Sequence, residues 1–255
     1  MRCEELVTRL DEELRTDAYA DVDASANGLQ VGRAAGEVET VAFAVDAARA
    51  TAEAAVDADA DLLVAHHGYS WGGFERVTGR LYDRLAPHFE HGLPLYVSHL
   101  PLDGHQELGN AACLADLLEL ENRAPFGEVG PEYVGQRGTA VDAYTTEKLR
   151  ERLAANLDTG GEEVRVLDFG PEEIREVAIV TGSGVDYLDA AVAAGADALV
   201  TGEGKQQAYH EAREAGISVF LAGHYATETF GVAALADLVT GWGPETVVLD
   251  HPTGL

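Results

Sequence analysis

Hydrophobic and polar positions along this chain fall into two alternating rhythms. Short runs rich in Val, Ile and Leu alternate with longer Ala-rich stretches whose apolar positions recur at helical spacing, which predicts strands alternating with helices. The pattern places a helix over 2–16, a polar turn region over 21–32, a strand over 38–45 and a helix over 47–58. A strand over 61–65 ends at His66 and His67, followed by a helix over 76–91, a strand over 93–99 and a helix over 108–118. Residues 122–175 carry Gly and Pro turns, a helix over 145–156 and a strand over 163–169. The alternation then resumes with strands over 176–182, 197–202, 217–223 and 246–250, separated by helices over 186–194, 205–215 and 225–240.

Alternation of this kind predicts an α/β fold of mixed, mainly parallel sheet with right-handed crossovers. A weak internal echo accompanies it. ADLLVAHHG (60–68) lines up with ADALVTGEG (196–204), and each half supplies a further strand ending at a histidine, His99 and His224. The echo predicts two similar lobes, about 1–122 and 123–255, facing each other across a cleft. Chance similarity between Ala-rich units is the competing explanation.

Composition narrows the class. Lys plus Arg number 17 against 45 Asp plus Glu, a formal net charge of −28, while 46% of residues are apolar, so the chain carries enough core to fold. Only Lys148 and Lys205 are lysines, and the acids are dispersed rather than gathered in a tail. That dispersal reads as a surface built for high salt, where carboxylates hold water and keep molecules apart. A nucleic-acid partner is not expected, since phosphate binding needs a basic patch. No apolar run approaches the roughly 20 residues of a membrane span, and the start, MRCEELVTRLDEELRT, has no secretory apolar region. The expectation is a soluble cytoplasmic protein. Cys3 and Cys113 are the only cysteines, too few for a disulfide framework or a thiolate zinc site, and read as inert apolar side chains.

Chemistry-bearing residues gather just past the carboxyl ends of the expected strands, the edge where open α/β sheets bind ligands. They are His66, His67 and Gly68; His99, Asp103 and His105; Glu203 and His210; His224 and Glu228. Adjacent strand residues point to opposite faces, so His66 and His67 reach one site only if the strand ends there, which Gly68 permits. One packed and one exposed histidine is the alternative. His224 and Glu228, four apart, share a face if a helix begins at Tyr225, although a helix-start carboxylate offsetting the dipole has the same spacing. Asp103 in PLDGH sits in turn-like sequence that would hold a carboxylate at a loop tip, or merely form an Asx turn. His88, His91 and His251 read as solvated surface residues.

Together His66, His67, Asp103, His224 and Glu228 make a donor set suited to Zn²⁺, Mn²⁺, Fe²⁺ or a similar ion. Five ligands exceed what one catalytic ion takes, and two ions about 3.5–4 Å apart would use them all. His99, His105, Glu203 and His210 could orient ligands or serve as general acid and base, with Glu203 and His210 about two helical turns apart. Tyr225 could donate to a developing oxyanion. Phosphate loops of the GxxxxGK[ST] type, GxSxG elbows and a dinucleotide fingerprint in suitable context are absent.

At these residues the chain resembles the YbgI family, whose members are known as GTP cyclohydrolase 1 type 2 homologues. The resemblance rests on NGLQVG (27–32), AHHGYSWGG (65–73), HLPLDGHQELGN (99–110), TGE (201–203) and GHYATE (223–228), in the family's order across nearly the whole chain. It implies a two-lobed α/β fold, two divalent metal ions per chain and a toroidal homohexamer. It also implies that Glu228 bridges, with His67 and Asp103 on one ion and His66 and His224 on the other. Ser98 and Tyr225 stand where some relatives carry bulkier or imidazole side chains, which bears on the pocket rather than on the ligands. The implied activity is metal-dependent hydrolysis of a nucleotide or related small molecule, such as opening of a purine ring. A non-catalytic metal carrier or regulatory scaffold is the alternative, and a metal-free sugar or nucleotide binding module a third.

Overall fold

The structure, a computed structural model, describes residues 1–255. The chain divides into two units. The first comprises Met1–Leu102 and Val232–His251, the second Asp103–Gly231 and Pro252–Leu255. Each has its own sheet, and the mixed α/β class read from the pattern is the class observed.

The first unit opens with α1 (Cys3–Leu14), which buries Cys3, Leu6, Leu10 and Leu14, a stripe at helical spacing, and stops where Arg15 turns left-handed at φ 53°. Its sheet runs β1-β4-β3-β2-β11, built from β1 (Gly28–Val31), β2 (Thr40–Asp46), β3 (Leu62–His67), β4 (Leu95–Val97) and β11 (Glu245–Val248). β11, β2, β3 and β4 are parallel, and only β1 runs the other way. Successive residues of β2 and β3 are buried regardless of which face they point to, as in a sheet covered on both sides. Helices α2 (Arg49–Asp57) and α3 (Arg80–His91) pack against one another.

Two expectations change in this unit. The segment 21–32, read as turn, contains β1, whose Gly28 and polar Gln30 hide the strand signal. His88, read as solvated, is 2% exposed: its Nδ1 lies 2.9 Å from the Leu93 carbonyl and its Nε2 3.2 Å from the Tyr69 hydroxyl. It is a core histidine tying the last turn of α3 to the segment that leads into the following strand, and burial holds its pKa below the usual imidazole value.

The second unit's sheet runs β5-β6-β8-β9-β10-β7. Its parallel centre is β8 (Ile174–Ile179), β9 (Ala198–Thr201) and β10 (Ser218–Leu221), with β7 (Arg165–Leu167) antiparallel at one side. The other side is a long hairpin, β5 (Leu120–Val129) and β6 (Glu132–Tyr144), which the pattern left unassigned. Gly130, at φ 59°, and Pro131 make its turn. Around the sheet lie α5 (Asn110–Leu117), α6 (Thr146–Ala154), α7 (Leu188–Ala193) and α8 (Ala208–Ala215). The apolar residues Ala111, Leu114, Ala115 and Leu118 enter this unit's core, which is why the division falls at Leu102/Asp103 and not at 122/123. The chain re-enters the first unit within α9 (His224–Trp242), and β11 completes that unit's sheet.

The internal echo is physical. Val41 pairs with Leu62 in the first sheet and Val177 with Ala198 in the second, 21 residues apart in both. Asp61 Oδ2 accepts the backbone N–H groups of Glu39 and Thr40, and Asp197 Oδ2 accepts those of Arg175 and Glu176. The same carboxylate at the same place clamps the start of the preceding strand in each unit.

Candidate metal centre

In the first unit the site begins where β3 ends. His67 is still in register, opposite Asp46 of β2, so the strand continues through both histidines instead of ending before them. Their ring centroids nonetheless lie 4.5 Å apart, with His66 fully buried and His67 half-buried. Gly68 follows under steric compulsion, since a Cβ there would sit 2.5 Å from Gln30 Nε2. Gln30 Oε1 in turn accepts the N–H groups of Tyr69 and Ser70, which fixes the turn out of the strand.

Each imidazole is held by one nitrogen. His66 Nδ1 lies 2.9 Å from the Ser98 carbonyl, and His67 Nδ1 lies 2.9 Å from Asp46 Oδ1. His99 Nδ1 lies 2.9 and 3.1 Å from the two Asp23 oxygens. An Nδ1–H given to oxygen sets the tautomer that presents Nε2 as a lone pair. One ring nitrogen from each of His66, His67 and His99 lies within 4.8 Å of the others. Asp23 also accepts from Ser25 N, Asn27 Nδ2 and Leu100 N, while Asn27 Oδ1 accepts His99 N. Burial works to raise the Asp23 carboxyl, but the bonds and charge from His99, with Asn27 and Ser25, outweigh it and hold the pKa below the usual carboxylate value. The Trp71 indole stands edge-on to His99, centroids 4.9 Å apart, and is half exposed.

In the second unit Asp103 is not at a loop tip. It ends the short helix α4 (Leu100–Asp103) and is buried, with Oδ1 accepting from Asn110 Nδ2 at 2.8 Å and Thr181 Oγ1 at 3.2 Å. α9 begins at His224, one residue earlier than expected, so His224 and Glu228 share a face, with Nε2 3.4 Å from Oε1. His224 Nδ1 lies 3.1 Å from Glu203 Oε1, and Ser183 Oγ donates to the same oxygen. Gly182, at φ 55°, cradles this group: a Cβ there would lie 2.2 Å from Glu228 Oε1 and 3.0 Å from His224 Nε2. Burial disfavours charge on His224, but its hydrogen bonds and ion pairs with Glu228 and Glu203 win and push its pKa up to about 9. The Ser183 bond, then His224, holds Glu203 below its usual value against a smaller effect of burial.

The remaining expected residues separate. His105 Nδ1 accepts the N–H groups of Glu107 and Leu108, shaping the turn before α5. His210 is exposed on α8, its ring 5.4 Å from that of Tyr209. Glu203 precedes α8 altogether, so the shared helical face expected for Glu203 and His210 does not form. Tyr225 is buried in the first turn of α9, its N–H donating to the Leu255 carbonyl. Residues that the sequence reading passed over are Asp23, Asp46, Asn110, Thr181 and Gly182. Asp46 had a signal, because the 21-residue register of the echo carries the strand-ending Asp46 opposite His67.

The donors are imidazole nitrogens and carboxylate oxygens, a set that fits a borderline or hard divalent ion. Thiolate plays no part in the second unit's cluster, where Cys113 turns its sulfur to the Leu108 carbonyl.

Two α/β sheets, each ending in anchored imidazoles or carboxylates, define the class. Within it, the profile of the Duf34/NIF3 (NGG1p interacting factor 3) family matches residues 1–252, and the chain belongs to that family. A Halobacterium salinarum protein named GTP cyclohydrolase 1 type 2 homolog is 55% identical over 255 residues, all of both chains. A Pyrococcus horikoshii protein of the same name is 42% identical over 99% of both chains. Among solved structures, protein ybgI, described as of unknown function, superposes with a TM-score of 0.89 at 33% identity over the whole of both chains. A Thermus thermophilus protein gives 0.88 at 39% identity, again over the whole of both. No helix is long and apolar enough to cross a membrane.

Proposed function

We propose that the chain binds two divalent metal ions through His66, His67, Asp103, His224 and Glu228 and hydrolyses a nucleotide or related small molecule. The observation that carries the metal reading is the anchoring of Nδ1 in His66, His67 and His224 by Ser98 O, Asp46 and Glu203. Such outer partners orient a metal-binding imidazole and raise its basicity. What separates these rings from the anchored core histidine His88 is convergence, one ring nitrogen from each of His66, His67 and His99 lying within 4.8 Å of the others. The hydrolytic reading draws on the relatives named GTP cyclohydrolase 1 type 2 homolog.

Glu228, the most buried carboxylate of the set, would help hold the ions, and the family resemblance implies that it would be shared between them. Bound there, the ions would supply Lewis acidity and a water of lowered pKa. His99, fixed by Asp23 beside His66 and His67, holds or passes a proton at Nε2. Trp71 stands edge-on to that imidazole, ring centroids 4.9 Å apart. The assembly in this reading is the ring of six chains that the family resemblance implies.

Elemental analysis after purification in molar salt, on wild type and Glu228→Ala, tests the centre. About two ions per chain in wild type, falling sharply in the variant, are expected. A nucleotide hydrolysis screen on loaded protein follows, with Glu228→Gln expected to lose turnover and keep its fold. Bound metal without turnover on any nucleotide would move the assignment to a metal carrier. No metal after reconstitution would end both readings.

A further inference from the structure

Asn110 is fully buried, and both ends of its amide are committed. Its Nδ2 donates to Asp103 Oδ1 at 2.8 Å, and its Oδ1 accepts the backbone N–H of Gly231 at 2.9 Å. A backbone N–H can only donate and a carboxylate can only accept, so the amide fits in one orientation. Gly231 lies three residues beyond Glu228 and seven beyond His224 in α9, one and two turns along the same face. The approach is too close for any side chain, because a Cβ on Gly231 would sit 2.5 Å from Asn110 Oδ1 and 2.9 Å from Asn110 N.

We infer that Asn110 is a positioning residue for the metal centre, joining Asp103 to the backbone of the helix that carries His224 and Glu228. The inference rests on the metal reading above. Oδ1 of Asp103 takes both the Asn110 and Thr181 bonds. Gly231 keeps the helix at the one distance where the amide spans both partners. A residue that merely packed α5 against α9 would need neither the fixed amide orientation nor the bond to a ligand.

The test measures Zn²⁺ affinity by competition with a chelator in molar salt, alongside thermal melts of the metal-free protein. The variants are Asn110→Ala, Asn110→Asp, Gly231→Ala and Thr181→Val. Loss of an outer partner costs about 10–100-fold in metal affinity, so that loss is expected for Asn110→Ala. A larger loss is expected for Asn110→Asp, which sets two carboxylates against each other. Thr181→Val preserves shape and removes only the second bond to Oδ1, and a several-fold loss is expected from it even if the Asn110 variants do not fold. Affinity within twofold of wild type in folded Asn110→Ala, or in Thr181→Val if that alone folds, overturns the inference. So would a lowered melting point with unchanged affinity, the mark of a purely structural role. Failure of wild type to bind Zn²⁺ would instead remove the metal reading and this inference with it.

Discussion

Asp46 and His67 face each other across adjacent parallel strands, and the Nδ1–H of His67 meets Asp46 Oδ1 at 2.9 Å. Strand register therefore delivers the partner that orients the imidazole. Replacing Asp46 with Ala is expected to weaken metal binding about 10–100-fold while leaving the sheet intact. Asp46 is half exposed, so its loss opens no cavity. Chelator-buffered Zn²⁺ titration with a parallel thermal melt checks this, and unchanged affinity would exclude Asp46 as an orienting group.

Metal binding should depend steeply on pH through His224. With its pKa pushed up to about 9, an incoming ion must displace a proton at any lower pH. Apparent affinity is expected to fall about tenfold for each pH unit below that value and to level off above it. The same raised pKa stabilises the metal-free fold. That contribution is fully present below the unfolded imidazole value of about 6.5 and is lost as pH climbs through about 9. Glu203→Gln removes one of the carboxylates responsible, so the levelling point should move to lower pH. A point that stays in place would show that Glu228 alone sets the shift.

Trp71 offers an optical reporter. Its ring centroid lies 6.0 Å from that of His67, while Trp242, the other tryptophan, sits under the guanidinium of Arg9. One equivalent of Co²⁺ or Cu²⁺ should quench fluorescence in wild type and in Trp242→Phe, and leave that of Trp71→Phe nearly unchanged. Equal quenching in the two variants would place the ion elsewhere.

Salt should stabilise the protein. With 45 acidic residues against 17 basic ones, surface pairs such as Arg49–Glu53 and Arg152–Glu119 cannot neutralise most carboxylates. Screening shortens the reach of their repulsion from about 10 Å at 0.1 M to about 3 Å at 1 M salt. Melting temperature is expected to rise between those concentrations. Light scattering over the same range tests the proposed six-chain ring, whose share is expected to grow with salt. A flat response would mean that the charge is a surface property without energetic consequence.

The sequence disclosed whatever a local rhythm encodes. The buried runs of β2, β3, β9 and β10 stand out because neighbouring residues repeat the signal, and the histidines stand out at or just past strand ends. The β5–β6 hairpin was obscured because β5 mixes Pro125, Gly127 and exposed charges, and its pairing shifts register between Glu121 and Ala124. The burial of His88 is not legible in the sequence because one polar residue on a helix says nothing of whether a carbonyl waits for it, and Leu93 O comes from outside the helix. Asp23, 76 residues from His99, and Asn110, 121 residues from Gly231, act through contacts that only folding creates.

The first unit's dependence on β11 has a consequence for biosynthesis. Until residues 245–248 are made, β2 is an outer strand with one row of N–H and C=O groups unmatched, an invitation to pair with another chain. The second unit's core and all six of its strands come from 103–231, so that sheet can close without β11. The earliest translated strands thus wait for the last one. A released chain truncated near residue 243 should be protease-resistant in its middle and sticky at its beginning.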